Sequence, residues 1–312
     1  MLGRRLMSAA VIISVMLLLI WLDFLLGSES MFGRPGLVLC SLAVITAAMA
    51  ASELAAMFNN VACRVNQHAV VFATIAMVCV TSAPVLWREQ PVNCPLGKFG
   101  WALSGLVLAT VIAFLNEMRT YDATLSTAKG EVIDRLGRST LIFAYLSMLF
   151  GFLVAHRLLQ NSNGLGLVAL IALIATVKLS DAFAYFVGRS YGTIKLAPKL
   201  SPGKTVQGSL GALAGGIVGA AIVVYLVAPC IFDIEIQKPW WWFVVYGTLV
   251  TCAGMLGDLA ESLLKRDSAT KDSSSWLPGL GGFLDILDSI IFAAPISYFL
   301  WIVADLPAQT GN

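Results

Sequence analysis

Apolar residues run in nine stretches along the chain, roughly at 6–26, 37–58, 68–87, 101–118, 139–156, 164–188, 207–229, 240–261 and 283–304. About 20 consecutive apolar residues cross the hydrocarbon layer of a bilayer as a helix. The pattern therefore predicts an all-α, polytopic membrane protein of about nine transmembrane helices. The first stretch follows Arg4 and Arg5, as in a secretory signal, but runs on to Leu26. That exceeds the roughly 7–15 apolar residues of a signal segment, so it reads as a retained first helix. Long polar segments lie near 119–138, 189–206 and 265–282. Two regions are distinguished: N-terminal transmembrane helices over 1–160, and C-terminal ones over 161–312 that carry the candidate catalytic motifs.

The loops set the orientation. With the N-terminus in the cytoplasm and the C-terminus outside, fourteen Lys and Arg residues fall on the inside and five on the outside. Cytoplasmic loops are enriched in these residues, and all three long polar segments land on that same side. Composition agrees: 58% of residues are hydrophobic and 12% charged, against about 25% charged in ordinary soluble domains. Mean hydropathy is +0.84. A net charge of +2 leaves no dense basic patch for nucleic acid. The six cysteines are scattered and form no C-x-x-C pair, so neither a zinc site nor a disulfide framework is indicated. His68 and His156, at the edges of apolar stretches, read as packing residues.

Charges inside spans are expensive and mark functional sites by default. In the C-terminal half they cluster: Lys178 and Asp181 in the sixth span, Asp258 and Glu261 in the eighth, and Asp285 and Asp288 in the ninth. Residues three apart share a helix face, so each of the last two pairs points one way. Internal salt bridges to Lys178, Lys265 or Arg266 are the plain reading. Within the spans, however, carboxylates outnumber bases, which favours a hard cation with oxygen ligands, most simply Mg²⁺.

The neighbouring loops hold phosphate-handling groups. Ser201-Pro202-Gly203-Lys204-Thr205-Val206-Gln207-Gly208 places a Lys and hydroxyls just before a helix start, where backbone N–H groups and the helix dipole favour an anion. A merely capped helix is the plain alternative, and the segment is not a Walker A loop. The next polar loop holds Ser262, Lys265, Arg266, Lys271 and Asp272, then Gly279, Gly281 and Gly282 immediately before Asp285. Glycines let backbone approach a ligand closely.

Taken together, these blocks resemble the phosphatidate cytidylyltransferases, or CDP-diacylglycerol synthases, most strongly over about 178–290. Ser262, Lys265-Arg266, Lys271-Asp272, Pro278-Gly279, Gly281-Gly282, Asp285 and Asp288 follow the family signature in order and spacing. Ser180-Asp181 with Ala184-Tyr185 and Gly188-Arg189, Ser201-Pro202 with Lys204-Thr205 and Gly208, and Gly257-Asp258 with Glu261-Ser262 match three further blocks. Three positions depart: Leu280 stands for the family histidine, Ile286 for its arginine and Gln207 for its glutamate.

The resemblance implies cytidylyl transfer from CTP to phosphatidate, giving CDP-diacylglycerol and diphosphate, with Mg²⁺ as cofactor. It implies Asp258 and Asp285 as metal ligands with Asp288 and Asp181 in support. Lys204, Lys265, Arg266 and Lys271 would hold phosphates, and Ser201, Thr205 and Ser262 would donate hydrogen bonds, with Gly281 and Gly282 beside the substrate. The expected setting is a bacterial inner membrane, with the site facing the cytoplasm, membrane lipids as neighbours and a homodimer compatible with it. Other readings stay open: a CTP-dependent polyprenol- or phytol-type lipid kinase, an inactive homologue, or a transporter. A transporter would show symmetry-related halves with broken helices, and no such symmetry is visible.

Overall fold

The computed structural model describes residues 2–27, 35–61, 64–86, 94, 96–121, 130–159, 163–236, 238–270, 273–274, 276 and 281–305. Its helices are α1 (Leu2–Leu26), α2 (Leu37–Phe58), α3 (Gln67–Ser82), α4 (Gly97–Thr120), α5 (Glu131–Arg157), α6 (Asn163–Tyr191), α7 (Val206–Ile222), α8 (Ala228–Phe232), α9 (Trp240–Asp267) and α10 (Phe283–Asp305). Among the described residues, eight helical segments are long and apolar enough to cross a membrane: Leu37–Phe58, Gln67–Leu86, Gly100–Thr120, Glu131–Arg157, Gly164–Tyr191, Val206–Phe232, Trp240–Asp267 and Phe283–Val303. These coincide with the second to ninth apolar stretches. The first stretch forms α1, whose described apolar part is Ser14–Leu26. The chain is an all-α, multi-pass membrane protein.

Helices continue past the apolar stretches into segments that read as loops. α5 begins at Glu131, and α9 runs through Lys265 and Arg266 to Asp267. Acids in the first turn of α5 and bases in the last turn of α9 complement the helix dipole. Between α6 and α7 the polar segment folds into an antiparallel hairpin, β1 (Lys195–Ala197) and β2 (Ser201–Thr205), pairing Lys195 with Thr205 and Ala197 with Ser201. The hydrophobic pattern did not predict it. α7 passes into α8 through a π-helical turn, Val223–Val227, just before Pro229, which lacks the N–H a regular helix would use.

The chain divides into two compact units. The first comprises Met1–Val154 and Leu264–Leu287; the second comprises Ala155–Leu263 and Asp288–Asn312. In the first, Ala73 and Met77 of α3, Ala109 and Ala113 of α4 and Phe143 of α5 form a buried cluster. Gly105 lets α4 lie against α3, because a Cβ there would sit 2.8 Å from the Met77 carbonyl.

In the second unit small residues set the packing. A Cβ on Gly211, Gly215 or Gly219 of α7 would meet Val187 Cβ at 2.7 Å, the Leu179 carbonyl at 2.6 Å or the Ala175 carbonyl at 2.8 Å, all on α6. The four-residue spacing makes one flat stripe that lets two helix backbones approach, the small-xxx-small device of membrane helices. Gly247 of α9 approaches Ile217 of α7 in the same way, and Gly257 of α9 approaches the Asp288 carbonyl of α10. α6, α7, α9 and the greater part of α10 thus form one bundle.

Candidate active site

The bundle of the second unit brings together charges from four segments. Lys178 and Asp181 lie one turn apart on α6, with Nζ and Oδ2 3.6 Å apart. Lys204, the penultimate residue of β2, reaches Asp258 of α9 with Nζ 2.6 Å from Oδ2. Asp181 lies within electrostatic reach of Lys178, Asp258 and Lys204, and Asp288 of α10 within reach of Asp258 and Lys178. Asp181 and Asp258 are 51% and 37% exposed, whereas Asp288 is buried and accepts the Ser289 N–H. Glu261 of α9, also buried, is hydrogen-bonded to Asp288, so four carboxylates face two lysines.

The hairpin that carries Lys204 is fixed at its base. Thr205 Oγ1 accepts the Gly208 N–H at 3.1 Å and caps α7. Gln207 Oε1 accepts the N–H groups of Thr193 and Ile194 at 3.2 Å each, and its Nε2 donates to Thr193 Oγ1 at 2.7 Å. This accounts for the departure at 207: an amide oxygen serves both backbone donors as a carboxylate would, and the amide nitrogen gains a partner. Ser262 Oγ lies 3.5 Å from Asp258 Oδ1, a long contact, and Ser201 takes its place in β2.

The first unit holds a separate constellation. Lys265 Nζ lies 2.7 Å from Asp285 Oδ1, and both side chains are largely buried. Asp285 Oδ2 accepts from Gly282 N at 2.7 Å, Ser273 N at 3.2 Å and Ser273 Oγ at 3.0 Å. Beside it lies a residue that the sequence reading passed over. Glu53 of α2, 3% exposed, accepts from Phe283 N, Leu284 N and Ser273 Oγ at 3.0 Å each, and from Ser274 Oγ at 2.6 Å. Arg266 is exposed in the last turn of α9. Lys271 and Leu280 lie outside the described residues.

One sequence expectation changes. Asp181 meets Lys178, and Lys204 and Lys265 reach Asp258 and Asp285 from segments that a count within the spans leaves out. The Gly281-Gly282 turn packs closely against protein. Gly281 has φ +90°, and a Cβ on Gly282 would overlap Ser273 Oγ and Glu53 Oε2.

Among the described residues no three His, Cys, Asp or Glu side chains converge closely enough to hold a metal by themselves. Mg²⁺ is ordinarily held by one or two carboxylates together with substrate phosphates. Asp258 and Asp288, with Asp181 beside them, fit that mode by donor chemistry and by their excess negative charge. At Asp285 a cation would find Oδ1 facing Lys265 and Oδ2 already accepting three donors.

Residues 3–303 match the model of the cytidylyltransferase family. The chain belongs to that family. It is similar to the phosphatidate cytidylyltransferase of Bacillus subtilis (strain 168), 40% identical over 169 residues that cover 54% of this chain and 58% of the relative. The phosphatidate cytidylyltransferase of Chlamydia trachomatis serovar D is 37% identical over 159 residues, 51% of this chain and 50% of the relative. That of Haemophilus influenzae Rd is 40% identical over 140 residues, 44% and 47% of the two chains. The chain thus spans about half the length of the curated relatives it matches.

Proposed function

We propose that this chain transfers the cytidylyl group of CTP to phosphatidate, giving CDP-diacylglycerol and diphosphate, at the cytoplasmic face of a bacterial inner membrane. The observation that carries this reading is the set Lys178, Asp181, Lys204 and Asp258, exposed on α6 and half-buried where the hairpin meets α9. A charged group placed there can meet a water-soluble nucleotide and a lipid headgroup together. Membership of the cytidylyltransferase family and the bacterial phosphatidate cytidylyltransferases among its relatives support the same reading. The fourteen-to-five bias of basic residues supports the cytoplasmic side.

In this reading an oxygen of the phosphatidate phosphate attacks the α-phosphorus of CTP. A new P–O bond forms as the bond from the α-phosphorus to the bridging oxygen breaks, and diphosphate leaves. No protein nucleophile is needed, so the chain contributes positioning and charge neutralisation. Lys204, Lys265, Arg266 and Lys271 would neutralise phosphate oxygens, with Lys265 oriented by Asp285 at 2.7 Å. Thr205 Oγ1 accepts the Gly208 N–H and keeps its own proton to give; Ser201 and Ser262 would add hydrogen bonds. Mg²⁺, held by Asp258 and Asp288, would neutralise charge on the attacking and leaving oxygens.

The test is the purified chain in detergent with Mg²⁺, phosphatidate and each nucleoside triphosphate in turn, with lipid products identified by mass. CDP-diacylglycerol formed with CTP is the expected result. CDP with a further phosphorylated lipid would mark a kinase, and no lipid product with any nucleotide would overturn the reading.

A further inference from the structure

Glu53 sits in a buried apolar stretch of α2, with Ala50, Ala51, Leu54 and Ala55 fully buried around it. An ionised acid buried within an apolar span is costly unless it is hydrogen-bonded, so its retention needs a compensating set of donors. Four are present. Two are the N–H groups of Phe283 and Leu284, at the start of α10, where no partner exists within the helix and the dipole is positive. The other two are the Ser273 and Ser274 hydroxyls. The next carboxylate, Asp285, takes the Gly282 N–H. Ser273 Oγ lies 3.0 Å from both Glu53 Oε2 and Asp285 Oδ2, so its single proton serves both carboxylates. Two protein carboxylates thus occupy the helix start at which the glycine turn suggested a bound phosphate.

We propose that Glu53 is a positioning residue: it fixes the first turn of α10, and with it Asp285 and the Lys265 that Asp285 orients. The proposal rests on the enzymatic reading above, in which α10 carries site residues. It assigns the N-terminal helices a part in the reaction even though the sequence blocks all lie in the C-terminal region. Asp23 supplies a natural control. It is equally buried and caps α2 through the N–H groups of Val38 and Leu39 at 2.9 and 3.2 Å, but α2's first turn carries no site residue.

The experiment uses the full chain in detergent, comparing the parent with Glu53→Gln, Ser274→Ala, Asp23→Asn, Asp285→Asn and the Glu53→Gln/Asp285→Asn double variant. Glu53→Gln keeps the side-chain shape but turns one acceptor into a donor. Misplacement of a reacting geometry by about 1 Å can lower a rate on the order of 10²-fold, so kcat should fall by about that factor while KM for CTP and phosphatidate stays within about twofold. Hydrogen exchange at Phe283 and Leu284 should accelerate at least about tenfold, a local opening that global unfolding would not confine there. The double variant should be no slower than Asp285→Asn alone, as residues acting through one unit are non-additive. Ser274→Ala, which removes one hydroxyl, should show the same signature more weakly, and it carries the test if Glu53→Gln does not fold. Asp23→Asn should lower thermal stability and leave kcat unchanged. Unchanged exchange at Phe283 and Leu284, or a kcat for folded Glu53→Gln within about twofold of the parent, would overturn the proposal. Accelerated exchange in a chain that makes no CDP-diacylglycerol would uphold the clamp on α10 and overturn the enzymatic reading instead.

Discussion

In the first unit, acids are taken up by the fold. Asp23 and Glu53 cap helices, Glu117 pairs with Arg135 at 2.9 Å, and Asp285 accepts from a lysine, a hydroxyl and two backbone amides. In the second unit, Asp181 and Asp258 each meet a lysine while remaining 51% and 37% exposed. The difference is one of exchangeability. A buried carboxylate with several donors is expensive to strip, because each abandoned donor loses its partner without gaining water. An exposed ion pair contributes only about 0–1 kcal/mol, so its lysine and carboxylate can be handed to a phosphate and a cation at little loss. Similar residue types therefore serve as framework at Asp23, Glu53 and Glu117 and as exchangeable partners at Asp181 and Asp258.

Substitutions at four positions would break or sharpen that contrast. Asp258→Asn should lower turnover by about 10³-fold with the protein still folded; initial rates with saturating CTP and phosphatidate measure this, and a rate near the parent's would remove Asp258 from the mechanism. Lys204→Ala should lower kcat/KM for CTP by about 10²-fold, and Lys204→Arg should recover part of it. If Lys204 were only a salt-bridge partner, its loss would change thermal stability and leave CTP kinetics intact. The Cβ of Gly282→Ala collides with Ser273 and Glu53, an overpacking worth about 1–3 kcal/mol, visible as a lowered unfolding temperature in detergent together with a fall in kcat through the first turn of α10. An unfolding temperature equal to the parent's would show that this turn is looser than the structure has it. The smallest change is expected for Gln207→Glu, which keeps the acceptor for Thr193 and Ile194 and reverses the bond to Thr193 Oγ1, whose hydroxyl can donate to the carboxylate. Turnover should stay within a few-fold; a large gain would mean that a charge at 207 is needed for chemistry.

Much of the fold was legible because membrane spans are written in length and hydropathy. The expected stretch 37–58 is α2 residue for residue, and 283–304 differs from α10 by one residue at its end. The acids of the second unit were legible for a similar reason: a charge inside an apolar run is conspicuous, and i,i+3 spacing assigns it a face. Pairing was harder to read. Lys204 approaches Asp258 from a hairpin whose short strands carry no hydrophobic alternation, and the glycine stripe that docks α7 on α6 is a feature of shape rather than of polarity. Glu53 was invisible for a different reason. Its partners lie 220 to 231 residues away, in a serine loop and in backbone amides, and backbone donors have no signature in the sequence. For the same reason the close packing of Gly281 on Asp285 and of Gly282 on Ser273 and Glu53 could not be read from the glycines themselves.

The most direct test follows the label. The purified chain is given phosphatidate, Mg²⁺ and CTP carrying radioactive phosphorus at either the α or the γ position. Cytidylyl transfer predicts lipid-bound label from α-labelled CTP, none from γ-labelled CTP, and loss of the transfer in Asp258→Asn. Label reaching the lipid from the γ position, or equal transfer by parent and Asp258→Asn, would contradict the account.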